Sequence, residues 1–432
     1  MREIGMRRGL KWHGLVVMMV LMLAAMGLSA CGSNEGTGAN NTPAATDGGN
    51  AGGSKEGNKD AGKDAEAAEP IRIGMSTEAT GDNAMNSVNL YQGVQIAVDH
   101  VNAAGGIDGR KIELVVRDTE QNPTRGISII RDFGQKEKVL AAIGGFYSTV
   151  MLAQSPLIKE EKFAFMVATS NVPASVESGM PYTFGVRMNA NITAKYALSF
   201  IKEQWGTTKV AILHENGGYG KGAAAAMTKA LEEEGLKPVA VESFDNAKDK
   251  DMTAQVNNAK KGGAEVIYLF GQGAGNGYVL QAMNKLGWKV PIVGENGMAN
   301  KGVQEVGKEL AEGTYAIQTA NFNVEQTREP AAKFLEDFKA KFGHIPTTFA
   351  SAAQGYDGAM MLFQAIGDAE LSGDLAKDRE AVRDALEAVG PYSGVIKDWD
   401  KVFTPDNHDA IDVNSYLMCI WKDGKLVVSD VQ

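Results

Sequence analysis

Ile71-Arg72-Ile73-Gly74-Met75, then a stripe of Tyr91, Val94, Val98 and Val101, then Gly105-Gly106 and an apolar run at 112–116, is the stretch that decides the fold. The first run reads as a strand. Apolar residues three and four apart mark a helix, and the glycine pair sits where a left-handed cap would end it. Two strands joined by a helix of this length form a crossover, not a hairpin, and so belong to a parallel sheet. The alternation continues with strands at 139–143 and 163–167 and helical stretches at 126–138 and 151–160. A second series of strands follows at 209–213, 239–241, 266–270 and 290–293, again separated by helical segments. Two series of βα units predict an α/β protein of two doubly wound parallel-sheet lobes. About 360 residues from Pro70 onward exceed what one hydrophobic core usually holds, in agreement with two lobes.

In open parallel sheets ligands gather beyond the carboxyl ends of the strands, where backbone groups and helix N-termini are unpaired. Three clusters of small, hydroxyl-bearing or aromatic residues lie at such exits: Gly144-Gly145-Phe146-Tyr147-Ser148-Thr149, Ala168-Thr169-Ser170-Asn171, and His214-Glu215-Asn216-Gly217-Gly218-Tyr219-Gly220. Glycine lets a backbone approach a ligand, and Ser148 can present its hydroxyl from the start of a helix. Backbone amides at 169–171 could hold a carboxylate in the positive field of a helix end. Each cluster alone is as well explained by a turn or an N-cap. Three at equivalent positions of two lobes point to a shared cleft.

Upstream of the strands, Arg2, Arg7, Arg8 and Lys11 precede an apolar stretch from Leu15 that closes on Leu28-Ser29-Ala30-Cys31. This pattern resembles the lipobox of bacterial lipoproteins, which implies a signal peptide at 1–30 and lipidation of Cys31. Residues 32–69 contain no aromatic residue and no Val, Ile, Leu or Met, so they cannot bury enough apolar surface to fold. With Cys31 they read as a tether, 31–69, whose flexible coil of about 38 residues would reach roughly 35 Å. The expected location is the extracytoplasmic face of the cell membrane, with the lipid as the only membrane contact. Loss of 1–30 removes four basic groups and Glu3, which moves the net charge from −10 to −13. Nucleic acid is a poor partner for such a surface. Cys419, in the apolar run Tyr416-Leu417-Met418-Cys419-Ile420-Trp421, has no second cysteine to pair with in the folded part and reads as a buried strand residue.

The stretch from Tyr91-Gln92-Gly93-Val94 through Val101-Asn102-Ala103-Ala104-Gly105-Gly106-Ile107-Asp108-Gly109-Arg110-Lys111-Ile112-Glu113-Leu114, followed by Arg117-Asp118, with His214 to Gly220 and Tyr356-Asp357, resembles the leucine/isoleucine/valine-binding proteins. These are type I solute-binding proteins of ABC transporters. The resemblance implies a periplasmic binding protein type I fold with a three-crossover hinge, lobe 1 at 71–188 plus 320–410 and lobe 2 at 189–319 plus 411–432. It implies a monomer that closes on a small molecule, an amino acid of branched-chain type, and docks on a membrane permease. Its carboxylate-holding positions fall on Ser148, Thr169, Ser170 and Asn171, beside Tyr147. The cleft tyrosine of the second lobe falls on Tyr219, with a further contact near Phe270 to Gln272. Amino-acid binders of this family carry an acid for the ammonium where this chain has Asn296, in Gly294-Glu295-Asn296-Gly297. A buried ammonium without a counter-charge costs several kcal/mol. Either Glu295 or Asp357 supplies the charge, or the ligand is an amide or a carboxylate without an amine.

An enzyme is the rival reading. No Gly-x-Ser-x-Gly, His-Glu-x-x-His or Cys-x-x-Cys occurs, and neither a metal nor a cofactor is expected. His214 beside Glu215 could serve as a general base, though a cleft-wall side chain is the plainer reading. Gly271-Gln272-Gly273-Ala274-Gly275-Asn276-Gly277 fails as a dinucleotide loop because Asn276 stands where the third glycine belongs. A ligand-sensing lipoprotein without transport would have the same sequence features.

Overall fold

The computed structural model describes residues 69–81 and 84–431. Cys31, the signal segment 1–30 and all of the tether 31–69 except Glu69 lie outside the described residues. The first half runs β1 (Ile71–Thr77), α1 (Ala84–Ala103), β2 (Ile112–Asp118), α2 (Pro123–Arg131), β3 (Ala141–Gly144), α3 (Ser148–Glu161), β4 (Ala164–Val167), α4 (Ala174–Glu177) and β5 (Thr183–Gly185). It forms an all-parallel sheet in the order β2-β1-β3-β4-β5. The chain then makes α5 (Ala190–Trp205), β6 (Val210–Glu215), α6 (Gly218–Glu233), β7 (Ala240–Phe244), α7 (Thr253–Lys261), β8 (Val266–Phe270), α8 (Ala274–Lys285), β9 (Ile292–Gly294), α9 (Asn296–Ala299), α10 (Lys301–Gly307) and β10 (Tyr315–Gln318). After β10 come α11 (Glu329–Phe342), α12 (Phe349–Asp368), α13 (Leu375–Ala388), a small hairpin of β11 (Tyr392–Ser393) and β12 (Asp398–Trp399), and finally β13 (Leu417–Lys422) and β14 (Lys425–Val428).

The second sheet has the order β14-β13-β10-β9-β8-β6-β7. Its centre is parallel, but β13 pairs antiparallel with β10 and β14 antiparallel with β13. The two doubly wound lobes have the expected parallel-dominated sheets, and the second adds an antiparallel edge. Asp423 and Gly424 both adopt the left-handed conformation, φ 51° and 70°, the turn chemistry that joins two antiparallel strands directly. Helices cover the central strands on both faces, so β3, β4, β6 and β8 are buried along their whole length. Such strands are near-continuous apolar runs, which is why they stand out in the sequence.

Helices α11 to α13 return to the first sheet. α12 lies along α1 and against β3 and β4. Close approach of the two helices depends on glycine: a Cβ on Gly93 would meet Ala352 O at 2.2 Å, and one on Gly355 would meet Leu90 O at 2.4 Å. The chain therefore passes between the two sheets three times, between β5 and α5, after β10, and before β13. The helical stretch expected at 126–138 is broken. α2 ends at Arg131 and a π-helical turn over Asp132–Lys136 follows. The widened turn leaves Gly134 O to accept from Arg379 Nη2 at 3.1 Å, and Arg379 also reaches Val139 O at 2.9 and 2.7 Å.

Candidate functional site

At the carboxyl ends of both sheets the loops face each other across a small enclosed space. Phe146, Tyr147, Ser148 and Thr169 form one wall, and Tyr219, Gln272, Asn296 and Asn300 form the other. Thr348 and Ser351, at the start of α12, close the remaining side. The cavity measures about 20 Å³, room for about one water molecule. The walls touch directly: Gly218 N donates to Thr149 Oγ1 at 2.9 Å, and a Cβ on Gly218 would meet Thr149 N at 3.0 Å.

Each wall residue is positioned by its element. β3 ends in Gly144-Gly145, with φ of 155° and 79°, and a side chain at Gly144 would meet Ser76 O at 2.2 Å. This turn sets Tyr147 as the N-cap and Ser148 as the first residue of α3. Thr169 follows β4, and its hydroxyl, buried on the cavity wall, has no hydrogen-bond partner among the described residues. An unsatisfied buried hydroxyl of this kind favours a ligand that can bond to it. Ser170 and Asn171 lie behind the wall rather than on it. Ser170 Oγ donates to Ser148 Oγ at 3.0 Å and bonds Ser175 Oγ at 2.5 Å, so it orients Ser148.

Asn171 turns to Glu295. The Glu295 carboxylate accepts from Asn171 Nδ2 at 2.9 Å and from Thr193 Oγ1 at 3.2 Å, and the Tyr219 hydroxyl bonds to it as well. Burial pushes its pKa up to about 7, against the pull of these hydrogen bonds. Glu295 thus ties a first-sheet loop, the connecting helix α5 and the second-sheet helix α6 to one point. Burial together with the Glu295 charge also raises the Tyr219 hydroxyl well above the usual tyrosine value.

Asn296 has a definite orientation. Gln318 Nε2 donates to the carbonyl of Ile317 at 2.7 Å, so that atom is the amide nitrogen, and the Asn296 atom it meets at 3.0 Å must be the oxygen. The remaining group of Asn296 is its NH₂, a donor. Asp357 is not available as a counter-charge. Its carboxylate accepts from Val395 N at 2.8 Å, Ile396 N at 2.9 Å and the Tyr392 hydroxyl at 2.9 Å, far along the chain from the cleft loops. Burial holds its pKa up at about 6. That expectation is corrected.

His214 Nδ1 lies 2.8 Å from Glu215 O, and the Glu215 carboxylate accepts from Gly217 N at 2.5 Å and Gly220 N at 2.7 Å. The Glu215 carboxylate serves amides at the start of α6, and the His214 ring bonds the backbone rather than that carboxylate. In the glycine-rich loop, Asn276 Nδ2 donates to Gly271 O at 3.1 Å, which folds the segment back on itself. No cluster of His, Cys, Asp or Glu among the described residues is arranged to hold a metal. Among those residues, too, no helix is long and apolar enough to cross a membrane. Three wall residues have little signal in the sequence. Asn300 lies between two short helices, Thr348 and Ser351 stand at the start of the long α12, and only the Thr347-Thr348 pair ahead of that helical run hints at an exposed helix start.

Residues 70–425 match the family model described as periplasmic binding protein. A Brucella suis protein named Leu/Ile/Val-binding protein homolog 1 is 26% identical over 355 residues, 82% of this chain and 91% of its own. A Pseudomonas aeruginosa protein named leucine-, isoleucine-, valine-, threonine-, and alanine-binding protein is 26% identical over 276 residues, 64% of this chain and 72% of its own. Among solved structures, a periplasmic binding protein type 1 from Bordetella pertussis superposes with a TM-score of 0.74 at 27% identity, covering 83% of this chain and 99% of that one. A branched-chain amino acid transporter substrate binding protein from Streptococcus pneumoniae, in complex with isoleucine, shares the fold with a TM-score of 0.72 at 24% identity, over 84% and 99% of the two chains. With two sheets whose strand tips face one another, and a family match over nearly the whole folded region, this chain belongs to the periplasmic binding proteins, solute-binding proteins of type I fold and not enzymes.

Proposed function

We propose that the protein is the substrate-binding lipoprotein of an ABC importer, anchored through Cys31 at the extracytoplasmic face of the membrane and capturing a small amino acid of the branched-chain type. The observation that carries the reading is the enclosure of Ser148 and Thr169 on one wall by Tyr219 and Asn296 on the other. The names of the relatives from Brucella and Pseudomonas favour the same ligand class. We draw the lobes at 71–188 plus 320–410 and 189–319 plus 411–432, with the three chain passages as the hinge.

A cavity of about 20 Å³ does not admit a leucine, so entry requires the lobes to part and capture requires them to meet again. A ligand shifts that equilibrium only by contacting both walls better when they are closed. Micromolar affinity corresponds to about 8 kcal/mol, and burial of one aliphatic side chain supplies roughly 1.5 to 3, so the polar clamp carries a large share. Discrimination among leucine, isoleucine and valine is then slight, at about 0.8 kcal/mol per methylene. The closed form would dock on a permease.

A second reading, an amide or an amine-free carboxylate as ligand, is favoured by the donor that Asn296 presents. A thermal-shift panel of amino acids, amides and small carboxylates separates the two, since ligand at a thousand times its Kd adds about 4 kcal/mol. Ser148→Ala and Tyr219→Ala are expected to weaken binding more than they lower stability. Parental affinity in both variants would refute the cleft assignment. Cys31→Ala is expected to move the protein from the membrane to the soluble fraction.

A further inference from the structure

Five carboxylates are buried among the described residues: Glu78, Glu215, Glu295, Asp357 and Asp378. Four have all their work in the fold. Glu215 caps α6, and Glu295 joins Asn171, Thr193 and Tyr219. Asp357 accepts from Tyr392, Val395 and Ile396, and Asp378 accepts from Ser372 N at 2.6 Å and Gly373 N at 3.1 Å. Glu78 differs. It is 2% exposed, yet its Oε1 has no hydrogen-bond partner among the described residues.

Its position connects it to the cleft. Glu78 follows directly on β1, and the pairing of Ser76 with Gly144 brings it abreast of Phe146, a wall residue. The backbone N–H groups of Tyr147 and Phe146 face its carboxylate. A buried carboxylate with an open oxygen, beside the loop that presents Ser148, is built to receive a cation or a strong donor. Asn296, at the opposite wall, presents a donor and cannot play that part.

We infer that Glu78 is the negative partner of the ligand's ammonium group, so that both charged ends of an amino acid are held by the first lobe and the second lobe covers its side chain. The inference rests on the amino-acid reading of the cleft and supplies the counter-charge that Asn296 does not. Before a ligand arrives the carboxyl is held neutral around pH 7. Burial lifts its pKa to about 8, and Asp118 on β2 adds to the rise, while the two backbone N–H groups oppose it. Asp118 itself accepts from Ala79 N at 3.0 Å and Thr80 Oγ1 at 2.7 Å, so it is committed to the same loop. The Ser87 hydroxyl, on α1, donates to Glu78 O at 2.5 Å and fixes the backbone, leaving the side chain free to respond. An arriving ammonium favours the ionised form, and Glu78 gives up its proton to solvent as the ion pair forms.

The test uses leucine and 4-methylpentanoate, its skeleton without the amine, on the parent and on Glu78→Gln. Leucine affinity is expected to fall tenfold or more in the variant, while 4-methylpentanoate affinity stays within twofold of the parent. Equal leucine affinity in parent and variant would overturn the role of Glu78 alone. A parent that binds no amino acid in the panel would remove the amino-acid reading and this inference with it. A second measurement needs no variant: calorimetry of leucine binding at pH 7 in phosphate and in Tris should differ in heat by the ionisation of the buffers, with close to one proton released per ligand. Identical heats in the two buffers would also overturn it.

Discussion

Glu295→Gln isolates the cost of the carboxylate that ties the two walls of the cleft together. Glu295 is 1% exposed, and burial moves its pKa from 4.5 to about 7. Below 4.5 it is neutral in both folded and unfolded chains, and above 7 it is ionised in both. In between, the folded state binds more protons, so stability is fully present at the acid end and falls as pH rises through the window. The size of the shift sets the loss at roughly 3 kcal/mol over the whole window, most of it between pH 5 and pH 8. Glutamine keeps the shape and can still accept from Asn171 and donate to Thr193, but it does not titrate. Urea unfolding followed by tryptophan fluorescence at pH 5 and pH 8 should therefore show a smaller loss in the variant than in the parent, by on the order of 2 to 3 kcal/mol. Glu78 and Asp357 have folded-state values of about 8 and about 6, so they destabilise in the same direction, but they are present in both proteins and cancel in the difference. Parent and variant losing stability in parallel would refute the account of Glu295 as a buried, titrating tie.

Two further substitutions probe the frame around the site. Gly93→Ala forces a Cβ to within 2.2 Å of Ala352 O, and the resulting separation of α1 from α12 should cost on the order of 2 kcal/mol or more, read as a lower Tm with unchanged secondary structure. Asp409→Ala leaves the Arg187 guanidinium, fully buried and now paired to Asp409 at 2.9 Å, without its partner, and should cost on the order of 3 kcal/mol in denaturant unfolding.

Strands that are buried on both faces were legible because they are runs made mostly of apolar residues. Val266–Phe270 and Ala164–Val167 are of this kind. Thr183–Gly185 and Tyr315–Gln318 were not, because runs of three or four residues bounded by polar loops carry no period to read. Both stand next to a passage between the lobes, where a strand is short because the chain is leaving its sheet. At the site, glycines and hydroxyls clustered after β3 and β4 pointed to the right loops, yet not to which side chains face inward. Ser170 and Asn171 are neighbours of Thr169 in sequence but bond away from the cavity, to Ser148 and Ser175 and to Glu295. Glu78 gives no signal of its own, since a single glutamate after a strand usually reads as solvated. Only its register beside Phe146 gives it meaning. Thr348 and Ser351 reach the cavity from far along the chain, by way of α12 packing on α1.

That packing, with the terminal hairpin, governs the order in which the molecule can be assembled. A ribosome delivers the first sheet complete by Gly185, but the helix that covers it, α12, emerges only with residues 349–368. The second sheet waits longer still, because the partner of Tyr315–Gln318 is the strand Leu417–Lys422, about a hundred residues further on. Each lobe is an unfinished surface until segments from the last third of the sequence, α12 for one and Leu417–Lys422 for the other, have been made, so the two halves mature together rather than in turn. A truncation at 410 would lose 22 residues and with them the closure of a sheet whose first strand was made two hundred residues earlier.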